Sequence, residues 1–292
     1  MEFTESYAFC TSCHDVMSPE AMTFKTSPHA GLACGDCHVG PGTWLKIRAH
    51  LVSVRYVWEY PLGGYLKPIP IPIHSLPATE KICISCHLVS AFPPARLRLI
   101  DEYASDEANT LRRIQLTMRT GTQLASPGFG RGSHWHVANR VHYIAGDESR
   151  QTIPWVQVVL GDSTVEYLAA DSALTPEQIQ QSQKRRMDCV DCHNRAQHGQ
   201  VPPDKAMNRA MSAGLISADL PQIKRLGVEI LSKRYATDAE AAADIRAIAD
   251  FYANQYADLF AQLRPEVEAA VTAIQVLYQQ SRFSFMNVYW DT

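Results

Sequence analysis

The chain has 292 residues, a formal charge of -3 and 46% hydrophobic residues, enough for one sizeable core or two small ones. That charge balance offers no basic field for nucleic acid and excludes that class of partner. No run of about eighteen apolar residues occurs, so nothing in the sequence reads as a membrane span.

The first chemical signal is Cys10-Thr11-Ser12-Cys13-His14. The same CxxCH pattern returns at Cys34-Gly35-Asp36-Cys37-His38, Cys83-Ile84-Ser85-Cys86-His87 and Cys189-Val190-Asp191-Cys192-His193. Each reads as a c-type haem attachment site: two thiols form thioethers to the porphyrin edge, and the adjacent His reaches the iron from one face. The chain has eight cysteines and the four motifs take two each, leaving none over. A zinc site needs two such pairs closing one tetrahedron and no His after every second Cys, so haem is preferred to zinc or to a redox dithiol. Four haem c groups are expected.

The spacing predicts three regions: 1–100, a haem region with three motifs; 101–172, an insertion with a small β-sheet; and 173–292, the fourth site with a helical C-terminal region. Each motif is expected as a loop plus a short helix. Residues 60–77 carry five prolines with Gly63 and Gly64, which predicts an extended connector. Ser133–Ala138, Arg140–Ala145, Thr152–Leu160 and Thr164–Tyr167 are rich in β-branched and aromatic types, with Gly161-Asp162 as a turn, and predict antiparallel strands. Helices are expected over 205–213, 220–235, 238–263 and 265–280, with Thr237 and Thr175-Pro176 as starts. Ile245, Ile248, Tyr252, Tyr256, Leu259 and Leu263 form one apolar face. The expected class is mainly α with much irregular structure: a multihaem cytochrome c core, a small antiparallel β insertion and a C-terminal helical hairpin or bundle.

Each haem iron takes a second axial ligand unless a position is left open for substrate. Of eleven histidines four are proximal, His14, His38, His87 and His193, which leaves seven candidates: His29, His50, His74, His134, His136, His142 and His198. His29 stands five residues before Cys34 and His198 five after His193. His74 follows Pro70-Ile71-Pro72-Ile73, which pre-orders it. On a strand, His134 and His136 share one face and Trp135 the other, so at most one serves a given iron. Met17, three residues after His14, shares a face with it if the chain is helical there, and a thioether ligand raises the haem potential. Lys46 reads as a solvated lysine.

The runs from His14 to Glu20, Ser27 to Ala30, Cys37 to Gly42, Pro68 to His74, Ser133 to His136 and Met187 to Arg195, with the third motif, resemble the NapC/NirT family of membrane-anchored multihaem cytochromes, in a longer-chain branch. The similarity covers most of residues 3–205 and parts of the helical tail. It implies an N-terminal transmembrane anchor outside the given sequence and electrons drawn from membrane quinol. It also implies transfer through bis-His or Met/His haems to a periplasmic reductase or further cytochromes. Met17 would be a first-haem ligand, His29 and His198 distal ligands, and the region near the first haem the quinol side. Met17 stands one residue farther from the motif His than in the best-known members. Longer relatives continue past an ending like Phe285–Thr292 with further haem motifs, so the resemblance implies either a fragment or a subunit of a larger complex whose remaining haems sit on a partner.

The leading expectation is a tetrahaem electron relay on the extracytoplasmic face, working with a membrane quinol oxidase module or anchor and with redox partner cytochromes or a reductase. One rival is a multihaem reductase of nitrite or hydroxylamine type with one open haem, using Arg140, His142 and Tyr143 as proton donors. The other is a haem-bearing structural subunit of a respiratory assembly or filament. Tyr143 and its neighbours read more simply as part of a small sheet.

Overall fold

The computed structural model describes residues 3–12, 14–40, 42–59, 61–69, 77–88, 91–122 and 132–291. His74 and Cys13 lie outside the described residues, as does most of the second half of the proline-rich connector.

Along the N-terminal stretch the helices are short: α1 (Tyr7–Cys10), α2 (Ser18–Lys25), α3 (Cys34–His38) and the longer α4 (Thr43–Glu59), followed by α5 (Thr79–Ile84). Ser6 accepts at its Oγ from Phe9 N at 3.2 Å and so starts α1. Next come β1 (Ala95–Tyr103) and β2 (Leu111–Arg119), which pair as a two-stranded sheet, then α6 (Trp135–Ala138), β3 (Arg140–Ile144), β4 (Trp155–Leu160) and β5 (Ser163–Leu168). After α7 (Pro176–Gln181), β6 (Arg185–Arg186) and α8 (Cys189–Cys192), the chain is helical: α9 (Pro203–Ser212), α10 (Ile223–Ser232), α11 (Asp238–Gln255), α12 (Ala257–Gln262) and α13 (Arg264–Ser281). A minimal pair, β7 (Arg282–Phe283) and β8 (Val288–Tyr289), closes the described chain.

These elements form two compact units, one of residues 1–75, 99–115 and 196–292, the other of 76–98 and 116–195. The first unit carries the first two motifs and the second unit the last two.

The core of the first unit lies among α9, α10, α11 and α13, where Met207, Leu220, Ile223, Ile245, Ile248, Tyr252, Val267 and Ile274 are buried. The predicted apolar face of α11 is the one that packs. Tyr278 OH reaches Asp238 Oδ1 at 3.5 Å, so the end of α13 meets the start of α11 and the two run antiparallel, as the expected hairpin requires. Thr237 caps α11 by accepting from Glu240 N at 3.2 Å, a contribution of about 1 kcal/mol. Gly227 on α10 has a packing reason: a Cβ there would stand 2.4 Å from Met207 Sδ. Lys224 is fully buried and gives its Nζ to Asp204 O at 2.6 Å and Asn208 Oδ1 at 2.7 Å, with Asp204 Oδ1 at 2.8 Å. Asn109, 2% exposed, ties the β1–β2 connection to the same place. Its Nδ2 donates to Ala218 O and Leu220 O, and its Oδ1 accepts from Lys224 N.

Two of the predicted helices differ from the observed ones. The helix expected from Leu220 begins at Ile223, because Gln222 is left-handed at φ 64 and its N–H goes to Glu107 O. The single helix expected over 238–263 is broken at Tyr256. Its φ of -139 lies far from helical values, while its hydroxyl bonds to Glu107 and Gln222, each at 2.8 Å.

The second unit is built on a four-stranded antiparallel sheet of order β5-β4-β3-β6. Three of the predicted strands are there, with the turn at Gly161-Asp162, and Trp155 on β4 is completely buried. The fourth is not. Ser133–Ala138 was expected as a strand but turns into α6, with Trp135 N bonded to Gly132 O and Asn139 Nδ2 donating back to Trp135 O at 2.8 Å. His134 and His136 are therefore not two residues of one strand face. The chain thus combines helices with antiparallel sheets, and the sheets include the β1–β2 and β7–β8 pairs as well as the insertion.

Candidate haem-binding sites

The second, third and fourth motifs each sit on one helical turn, which brings residues i, i+3 and i+4 to one side. In the third motif His87 N donates to Cys83 O at 2.8 Å, and in the fourth His193 N donates to Cys189 O at 2.8 Å. Cys34, Cys37 and His38 all lie on α3. In the first, Cys10 ends α1 and the backbone from His14 to Met17 is a 3-10 turn.

Among the described residues two motif histidines stand beside a histidine distant in sequence, and His134 also lies 6.2 Å from its near neighbour His136, with planes at 39°. His38 and His198 have ring centres 6.1 Å apart with planes at 52°. His134 and His193 also stand 6.1 Å apart, with planes at 5°. Two imidazoles bound to one metal from opposite faces, through bonds of about 2 Å, place their ring centres roughly 6 Å apart. The His38–His198 and His134–His193 pairs meet that spacing, as does His134–His136, which contains no motif histidine.

The outer nitrogens are held as ligand histidines need. His198 Nδ1 lies 3.1 Å from Glu20 O and 3.4 Å from Thr23 Oγ1, and His134 Nδ1 lies 2.5 Å from Thr120 O. A proton donated to those oxygens leaves each Nε2 with a lone pair for a metal. The Phe92 ring stands 4.7 Å from His134. Desolvation lowers the pKa of His38, with His198 adding to the effect, and desolvation likewise lowers that of His198. Each shift favours the neutral, ligating form.

The other candidates are placed differently. Both ring nitrogens of His50 are engaged, Nδ1 with Lys46 O and Nε2 with Thr4 Oγ1, each at 2.6 Å. His136 turns its Nδ1 to Ser133 O at 2.9 Å, and it is His134 that stands beside His193. His142 lies on β3 opposite Gln157 and Arg186. His29 lies on a turn in which its N donates to Ser27 Oγ at 3.2 Å, and Met17 is half-buried. Lys46 is not a solvated lysine: its Nζ pairs at 2.7 Å with Glu5, whose side chain is buried. Arg140, His142 and Tyr143 do not converge, since strand alternation sends Tyr143 to the opposite face. Tyr143 OH is also committed to Asp191 at 2.9 Å.

Sequence reasoning missed a cluster around the fourth motif. Asp191 Oδ1 accepts from Tyr143 OH, from Arg150 Nη1 at 3.0 Å and from Arg185 Nε at 3.0 Å, while its Oδ2 accepts from Asp188 N at 2.8 Å. The Asp at the third place of a CxxCH was the available signal.

Facing imidazoles beside CxxCH turns are the donor set of a c-type cytochrome. Residues 1–66 match the family model described as NapC/NirT cytochrome c family, N-terminal region. The chain is 39% identical over 294 residues to the cytochrome c-type protein ImcH of Geobacter sulfurreducens, which takes in 100% of this chain and 58% of that protein. It is 31% identical over 117 residues to the cytochrome c nitrite reductase subunit NrfH of Nitratidesulfovibrio vulgaris, covering 40% of this chain and 72% of that protein. It is 21% identical to the cytochrome c-type protein TorY of Haemophilus influenzae over 38% of this chain and 34% of that one. The chain belongs to the NapC/NirT cytochrome c family, whose members carry covalently bound haem c and serve electron transport. It spans little more than half the length of ImcH. No solved structure matches it. Among the described residues no helix is long and apolar enough to cross a membrane.

Proposed function

We propose that this chain is a tetrahaem electron-transfer protein that passes electrons from a membrane quinol pool or membrane complex to an extracytoplasmic acceptor. Its partners would be a quinol-oxidising module or anchor and redox cytochromes or a reductase. The observation that carries this reading is the pair of facing imidazoles, His38 with His198 and His134 with His193.

Haem c supplies one-electron redox chemistry when bound. The thiols of the four motifs would fix it covalently, with His14, His38, His87 and His193 as proximal ligands. His198 would serve the second motif and His134 the fourth, which would leave neither site an open position for substrate. Met17, His29, His74 and His142 remain the candidates for the first and third motifs. Glu20 O, Thr23 and Thr120 O hold the distal rings in place, so little rearrangement accompanies a change of charge. Sites with both axial positions filled favour transfer over bond chemistry.

A carbon monoxide and cyanide titration of the reduced and oxidised holoprotein, followed optically and by EPR, tests this. The expected result is low-spin signals for the haems of the second and fourth motifs and no ligand binding there. Ready binding of cyanide or nitrite at either of those sites would overturn it in favour of a reductase.

A further inference from the structure

We infer that Asp191 is a positioning residue that locks the fourth haem-binding turn to the sheet and thereby sets the plane of the His193 ring; this rests on the haem assignment proposed above. The side chain of Asp191 is 8% exposed and receives four donors from four places in the chain. Tyr143 comes from β3, Arg150 from the β3–β4 connection, Arg185 from β6, and the Asp188 N–H from the cap of α8. A buried carboxylate with two guanidinium donors is a charge-assisted junction, stronger and more directional than neutral hydrogen bonds.

The donors are themselves held. Arg150 adopts a left-handed backbone, φ 57, which a non-glycine residue keeps only where its surroundings over-determine it. Here Asp147 does so, accepting from Gln151 N at 3.1 Å and Thr152 N at 2.7 Å, while Arg150 N bonds to Asp147 O. Arg185 sits in register with Tyr143 across β3 and β6, and its Nη2 also pairs with Asp188 at 3.1 Å. Nearby, His134 is pinned by Thr120 O and Phe92. With both backbones fixed, the His134 and His193 rings lie within 5° of parallel.

The second motif offers a comparison within the chain. Asp36 occupies the same place as Asp191, but it is exposed and accepts from Ala33 N at 2.9 Å, with no arginine on it among the described residues. There the two rings are tilted by 52°. In a ferric low-spin haem, parallel axial imidazoles give a rhombic EPR signal of moderate low-field g value. Tilting them moves that g value to lower field.

The test is EPR of the oxidised holoprotein, wild type against Asp191→Asn, Tyr143→Phe and Asp36→Asn, with the haems counted by mass. In Asp191→Asn the signal of the fourth haem should move to lower field while that of the second stays put. Tyr143→Phe, which removes one neutral donor, should move it less in the same direction. Asp36→Asn should change neither signal. If Asp191→Asn fails to take up its fourth haem, Tyr143→Phe decides the matter. Four haems with an unmoved fourth signal in Tyr143→Phe and in any loaded Asp191→Asn would overturn the inference. A wild-type protein with no haem on the fourth motif would instead overturn the assignment beneath it.

Discussion

In the first unit, His38 and His198 come from distant parts of the chain and meet because α2 presents Glu20 O and Thr23 to the segment that carries His198. In the second unit, His134 comes before the sheet in the chain and His193 after it, and the buried Asp191 beside His193 is bonded to Tyr143 of β3 and Arg185 of β6. The same 6.1 Å separation thus occurs in both units. The separation that a pair of axial ligands would need is therefore met on either scaffold, whereas the angle between the rings differs, 52° in the first unit and 5° in the second.

The contrast can be broken most forcefully in the sheet. Trp155→Ala removes the largest fully buried side chain of the second unit and should cost about 3–5 kcal/mol. Urea unfolding measures that loss, and the signal of the fourth haem should broaden with it; an unchanged midpoint would show that the sheet is not what holds this pair. In the helical core, Lys224→Ala leaves Asn208 and the Asp204 carbonyl without their buried donor and should cost about 2–3 kcal/mol. Gly227→Ala pushes a methyl into Met207 and should cost about 1–2 kcal/mol, read as a lower thermal midpoint. The smallest effect is electrostatic. Lys233 and Tyr235 hold the Asp244 carboxyl below its ordinary value. Its stabilisation is therefore present above the unfolded carboxylate pKa and lost as pH falls through the lower folded one. Asp244→Asn should flatten that part of the acid limb, and an identical acid limb in the variant would remove Asp244 from the account.

The CxxCH turns were legible because attachment chemistry and helical spacing both act within five residues. The α11 face and its Thr237 cap were legible for the same reason. The pairing of His198 with His38 was not legible, since nothing near either residue records the other, and only the closed first unit brings them together. The strand expected at Ser133–Ala138 failed because hydrogen bonds to Gly132 and from Asn139 outweighed the β propensity of Trp135 and Val137. In β1 Leu97 and Leu99 alternate with Arg96 and Arg98, a period-two run too short and too charged to announce a strand. The break at Tyr256 depends on Glu107, far away in sequence, and no helical periodicity announces it.

The discontinuity of the first unit also has a consequence in time. A chain made from its N terminus delivers Cys34, Cys37 and His38 well before His198 exists, so under the proposed assignment the second haem-binding turn would wait for its opposite ring. In the second unit the order is reversed: His134 is already made when Cys189, Cys192 and His193 emerge. Under the proposed assignment, maturation would therefore meet one site whose second ring is made long after its haem-binding turn, and another whose receiving half is complete before its haem-binding turn arrives.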